Sequence, residues 1–311
     1  MLVAGAFAPN ALLLGVALLA FGISGAFVAV AGTVSIFHQF EADQRGFALG
    51  IRQMSVSGGG LVAAALLPGL AALGGIRAAL IASGVLAAGF ATRFGLASPQ
   101  GAFHSTPKGS GKGILDILRI PGIARVLAIS LAHVGALAAV LNFAVPAIRD
   151  DGASAFVGAA LFAIISVAAM VARLAWGSFA DRDGGTRRWR TLRDVGLVTI
   201  VGALGYWLLS PLGPAAALPV MFIFAFGAMG ANGVLHLLGG ELAGAAHAGQ
   251  AVGLVSMVLF GGGALASVPL GALADHAGFS ALWPTCAVLA AVTVALSSTG
   301  PGRPKSVDLR P

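Results

Sequence analysis

The stretch Arg173-Leu-Ala-Trp-Gly177-Ser-Phe-Ala-Asp181-Arg182-Asp-Gly184-Gly-Thr-Arg187-Arg188 joins two kinds of sequence. Before Asp181 lies an almost uninterrupted apolar run, 153–180, and after it charges and glycines follow one another. A helix of about 20 apolar residues spans the hydrocarbon of a bilayer, and charges mark where it leaves. This stretch therefore reads as the end of a membrane span and the basic loop that follows it.

The same pattern repeats along the chain, with apolar runs at about 11–37, 47–73, 76–95, 123–147, 153–180, 195–211, 214–239, 249–273 and 279–298. Breaks between them carry charge, Gly or Pro, as helix ends do. Of the 311 residues, 58% are hydrophobic and 9% charged, against about 25% charged in a soluble domain. So few polar side chains cannot cover a water-soluble surface. No run alternates with period two, which excludes a membrane β-barrel. The expected fold class is an all-α integral membrane protein of about nine transmembrane helices.

Charge placement gives the orientation. Of the 18 Lys and Arg, fifteen fall on one side of the alternating loops, among them Arg45, Arg125, Arg182, Arg187, Arg188, Arg190 and Arg193. Only Arg77 and Arg149 fall on the other, and Arg173 lies within a span. The positive side is expected to be cytoplasmic and to hold the C-terminus. The net charge of +7 points to loops and not to nucleic acid, because basic and aromatic residues do not interleave. Cys286 is alone, so an intrachain disulfide is impossible.

Residues 96–122 form the one long connection, polar first and then amphipathic over Ile114–Ile120, where the chain is expected to lie along the membrane surface. The division expected is a partial bundle of three spans (1–95), a cytoplasmic linker (96–122), a six-helix bundle (123–299) and a cytoplasmic tail (300–311). With a partial first bundle, apolar faces of the first two spans are expected to lack protein partners.

Internal echoes support units of three helices. Gly177-Ser-Phe-Ala-Asp181 returns as Gly271-Ala-Leu-Ala-Asp275 three spans later and on the opposite side, as an inverted repeat requires. Gly58-Gly-Gly60 before Pro68 returns in parallel as Gly261-Gly-Gly263 before Pro269.

The stretch from Gly177 to Arg188 resembles the loop signature of the major facilitator superfamily, in outline G-x-x-x-D-R-x-G-x-R-R. Two residues, Gly185 and Thr186, stand where one is usual. Arg173 fits the family's R-x-x-x-G-x-x-x-D-R pattern. Arg45-Gly-Phe-Ala-Leu-Gly-Ile-Arg52-Gln53, with Gly58–Gly60, Pro68 and Gly75-Ile-Arg77, resembles the family's fifth helix and outer loop; Ile76 replaces the usual Trp. Gly271 to Gly278 resembles the end of the eleventh helix. In this register the nine spans match the fourth to twelfth helices of a major-facilitator-like bundle, with the N-terminal half truncated by three helices.

The resemblance implies a secondary transporter that moves a small solute by alternating access, in a bacterial inner membrane. The alternative is a truncated, transport-inactive membrane protein serving as a helical scaffold or partner. No metal or catalytic grouping and no phosphate-binding loop occurs, so neither enzymatic activity nor a cofactor is expected. Arg52 and Arg173 within spans favour an organic anion as solute.

Polar groups at membrane depth are the candidates for the solute path: His133 and Asn142, about half a turn out of phase, and Asn232 and His236, four apart on one face. The competing reading is interhelical hydrogen bonding, worth about 0.6 kcal/mol on average. Gate candidates are Arg173, Gly177, Asp181, Arg182, Gly184, Arg187, Arg188 and Glu241, although the arginines could serve topology alone. The repeat places the span ending at Asp181 beside the second span. Asp181 is therefore expected at the N-terminus of that helix, near Arg45–Ala48, where free N–H groups and the macrodipole favour a carboxylate.

Overall fold

A computed structural model describes residues 1–97, 113–244 and 246–298. Most of the linker (98–112) and the tail after Ser298 lie outside the described residues. The described chain is helical throughout: α1 (Leu2–Ala6), α2 (Ala11–Gln39), α3 (Arg45–Ala97), α4 (Ile114–Leu118), α5 (Ile123–Asp150), α6 (Ala155–Asp181), α7 (Arg188–Leu209), α8 (Pro214–Ala228), α9 (Ala231–Ala243), α10 (Ala248–Ala277) and α11 (Leu282–Ser298).

Local signals set several ends. The Asn10 side chain accepts from Leu13 N at 2.9 Å to open α2, and Ser154 accepts from Val157 N at 3.3 Å to open α6. At 53 residues α3 is far longer than one span, about 80 Å against a hydrocarbon thickness of about 30 Å. It is two helices joined at Gly74–Gly75, where Gly75 takes φ 69° and ψ −174° and breaks the helix without an intervening loop. Among the described residues eight helical segments are long and apolar enough to cross a membrane, and α3 alone is long enough for two crossings.

Two expected boundaries differ. The run expected at 195–211 starts at Arg188, because the arginines 188, 190 and 193 are themselves helical. Arg is a good helix former, and the charged turns belong to the interface, outside the hydrocarbon. The run 214–239 is interrupted at Met229–Gly230 between α8 and α9. There Gly230 lies so close to Trp176 that an added Cβ would stand 2.1 Å from the indole Cδ1.

Helices α5 to α11 pack around a core in which Phe224 and Tyr206 meet the Trp283 ring edge-on. Small residues set the spacing, as where Gly202 meets the backbone of Phe224. The first spans are covered far less: Leu12, Leu19, Phe27 and Phe90 are exposed along α2 and α3. Among the described residues the most extensive helix pairing joins the two sets, α3 upon α6. In α4, Ile117 is buried against Ile123 and Leu254, while Ile114 and Leu115 on its other side are exposed.

Candidate functional site

The α3–α6 crossing is built from glycines. A Cβ on Gly46 would lie 2.4 Å from Gly177 O, one on Gly177 would lie 2.2 Å from Gly46 O, and one on Gly50 would lie 2.5 Å from Arg173 O. Only hydrogen at these positions lets the backbones touch. Gly46 and Gly50 form a G-x-x-x-G pair facing Gly177, a signal present in the sequence that the motif reading passed over.

This contact delivers Asp181 to the first turn of α3. Its carboxylate accepts from Gly46 N at 2.8 Å through Oδ1 and from Phe47 N at 2.8 Å through Oδ2. One side chain thus caps another helix with both oxygens, in the region 45–48 to which the repeat pointed. Its echo Asp275 is exposed, and no such partner meets it among the described residues.

A second tie lies beside the first. Glu241, in the last turn of α9, pairs with Arg188 of α7 and, at 3.6 Å, with Arg45 at the start of α3. Arg188 also donates to Ala42 O at 2.8 Å, and Arg45 to Phe37 O at 3.1 Å and Phe40 O at 3.0 Å, which connects the α2–α3 loop to α7 and α9. These groups line a cavity of about 360 Å³ with Phe37 and Ala248 on its walls. The remaining loop candidates stand apart: Arg187 pairs with Asp183 at 2.6 Å, Arg182 stacks over Phe179 at 4.2 Å, and Gly184 turns the loop with φ 65°.

Deeper in the helices the polar candidates divide. His133 is 4% exposed and stands against the Asn232 amide, with its Nε2 and the Asn232 Oδ1 both buried and without an aligned partner. His236 Nε2 bonds Ser256 Oγ at 2.9 Å and its Nδ1 bonds Asn232 O at 2.6 Å. Arg173 is 5% exposed, donates to Ser57 of α3 and is close enough to act electrostatically on His133. Arg52 donates to Thr33 Oγ1 at 3.0 Å and Ala29 O at 2.6 Å and bears likewise on His236. No carboxylate pairs with either arginine among the described residues. Asn142 is not part of this group: it is exposed and donates to Ser267 of α10 at 2.9 Å. Ser57 and Ser256 were not singled out in the sequence, where a serine in an apolar run carries little signal. Among the described residues no cluster of His, Cys, Asp and Glu could hold a metal ion.

Comparison with known proteins follows the same lines. None of the curated proteins matches the chain in sequence. Among solved structures, the proton:xylose symporter XylE bound to 6-bromo-6-deoxy-D-glucose superposes with a TM-score of 0.68 at 15% identity. The match covers 85% of this chain and 65% of that one, so the chain spans just under two thirds of the symporter's length. The likeness is one of fold. The sequence model of the Major Facilitator Superfamily matches residues 1–267, from α1 into α10. The chain is a multi-pass membrane protein and belongs to the major facilitator superfamily.

Proposed function

We propose that the chain is the helical core of a secondary transporter that carries a small solute by alternating access. The observation that carries this reading is the paired closure at one end, Asp181 on the first turn of α3 and Glu241 between Arg45 and Arg188. Both ties cross between α2–α3 and α5–α11, and both must open if those sets rock apart at that end. Ion pairs and a carboxylate cap gathered where the two sets meet at one end suit a contact that opens and closes better than a fixed scaffold. In this reading the conformation is closed at the Asp181 end. The excess of Lys and Arg there makes it the cytoplasmic end of a bacterial inner-membrane protein whose C-terminus is cytoplasmic. The helices of 1–95 and 123–299 act as the moving sets, joined by the linker.

The solute path runs past His133, Asn232 and His236. Arg52 and Arg173, at membrane depth with no carboxylate paired to them among the described residues, favour an organic anion over a neutral sugar, since a buried cation gains from a countercharge.

Accessibility labelling tests the gate. Cysteine in place of Ala248, which is 4% exposed in the closed cavity wall, should react slowly in membranes. Asp181→Asn removes the charge that favours the α3 N-terminus, an interaction of up to about 2 kcal/mol when partly buried. Labelling should then rise by a factor of a few to about thirty. Equal labelling in a variant that melts like the parent would reduce Asp181 to a topology residue and remove the main support for the proposal.

A further inference from the structure

Beside the gate, on the outer side of the α6–α7 turn, a second cavity of about 530 Å³ is lined by Trp176, Phe179, Arg187, Arg190, Arg193 and Asp194. The closure described above does not use it. Its two walls differ in kind. One is aromatic: Trp176 packs on Phe179 with ring centroids 5.7 Å apart and fixes its indole N–H on Phe226 O at 3.0 Å. The other is basic, with one arginine every three residues along the loop and first turns of α7.

The charges are only partly balanced. Arg193 pairs with its neighbour Asp194 at 2.9 Å and Arg187 with Asp183. Arg190 is exposed and has no partner among the described residues, and Arg182, over the Phe179 ring, adds another charge to the same turn. Four arginines against two aspartates leave this face two charges positive. No side chain caps the N-terminus of α7, so its first N–H groups add positive potential at the same place.

The level of the cleft in the membrane selects the ligand. From Val195 onward α7 is apolar, and apart from the buried Arg173 α6 is mostly apolar up to Ala180, so the arginines of the loop and of the first turns of α7 sit where these helices leave the hydrocarbon and the two rings sit just inside it. Trp is at home at that boundary. A soluble anion would use the basic wall and leave the aromatic wall idle. A phospholipid uses both, its phosphate on Arg190 and Arg193 and its glycerol and upper acyl carbons against Phe179, which is exposed, and the edge that the buried Trp176 leaves open. The surplus positive charge selects an anionic headgroup over a zwitterionic one.

We infer that the cleft between α6 and α7 is a binding site for an anionic phospholipid, with Arg190 its principal phosphate contact. This goes beyond the transport reading and does not depend on it. The test is lipid retention by the purified chain in detergent, measured by native mass spectrometry with phosphatidylglycerol and phosphatidylcholine supplied equally. Phosphatidylglycerol should be retained preferentially. Arg190→Gln should lower that retention about fivefold, from about 1 kcal/mol per basic residue at a membrane surface. Arg190→Lys should keep most of it, and Arg77→Gln, at the opposite end of the spans, should change nothing. Excess glycerol phosphate, which offers the anion without the acyl chains, should fail to displace the lipid. Equal retention of the two lipids, unchanged retention in Arg190→Gln, or full displacement by glycerol phosphate would each overturn the assignment.

Discussion

Replacing Gly177 by Ala adds one methyl group at the tightest point of the α3–α6 crossing, and its effect can be worked from the geometry. The new Cβ would stand 2.2 Å from Gly46 O. A tolerable C···O approach is about 3.3 Å, so the backbones must part by about 1 Å. Backbone atoms oppose the methyl, and no flexible side chain can yield. The bonds from Gly46 N and Phe47 N to Asp181, 2.8 Å each, would stretch toward about 3.8 Å and cease to be hydrogen bonds. Overpacking of this kind costs about 1–3 kcal/mol, and losing a charged hydrogen bond costs a similar amount. A net loss of about 2 kcal/mol to the closed state corresponds to about thirtyfold in its population relative to the open one. Labelling of cysteine at position 248 should therefore accelerate at least as much as in Asp181→Asn. The native thiol contributes little background, because Cys286 is fully buried. Gly59→Ala is the control, since a Cβ there meets nothing within 4 Å. Labelling in Gly177→Ala that matches this control would mean the crossing does not set the closed state, and the steric argument would fail.

Removing Glu241 and Arg188 singly, as Glu241→Gln and Arg188→Gln, should each loosen the closed end. The double variant should cost less than the sum, with a coupling of about 0.5–3 kcal/mol in a double-mutant cycle read by labelling; strict additivity would show the pair to be energetically idle. Gly230→Ala should lower thermal stability by about 1–3 kcal/mol, because the methyl has no room beside Trp176, whereas Trp176→Phe together with Gly230→Ala should recover part of the loss; calorimetry decides both. Cysteines at Asn142 and His133 should differ in the closed conformation, the first reacting readily with hydrophilic reagents and the second, 4% exposed, remaining protected; similar rates would contradict the packing described for α5. If the solute is an organic anion, small carboxylates should raise the melting temperature more than hexoses do, and Arg173→Met should abolish the difference.

What the sequence determined by itself follows from the bilayer. Lipid demands long apolar helices with polar ends, so the number of crossings and their breaks at charge, Gly and Pro could be read directly. The stretch from Arg173 to Arg188 carried the family, and the echo at Gly271–Asp275 pointed Asp181 toward the start of α3. Tertiary structure alone decided which faces meet. These helices are apolar nearly all round, so no amphipathic stripe says which side of α5 is inside, and only packing separates buried His133 from exposed Asn142. The interruption at Met229–Gly230 likewise depends on Trp176 of another helix, and the partners of Glu241 come from the starts of helices about 50 and 200 residues away in sequence. Gly46 and Gly50 show the limit most plainly: among 46 glycines their spacing is unexceptional, and only the backbone of α6 lying against them gives it meaning.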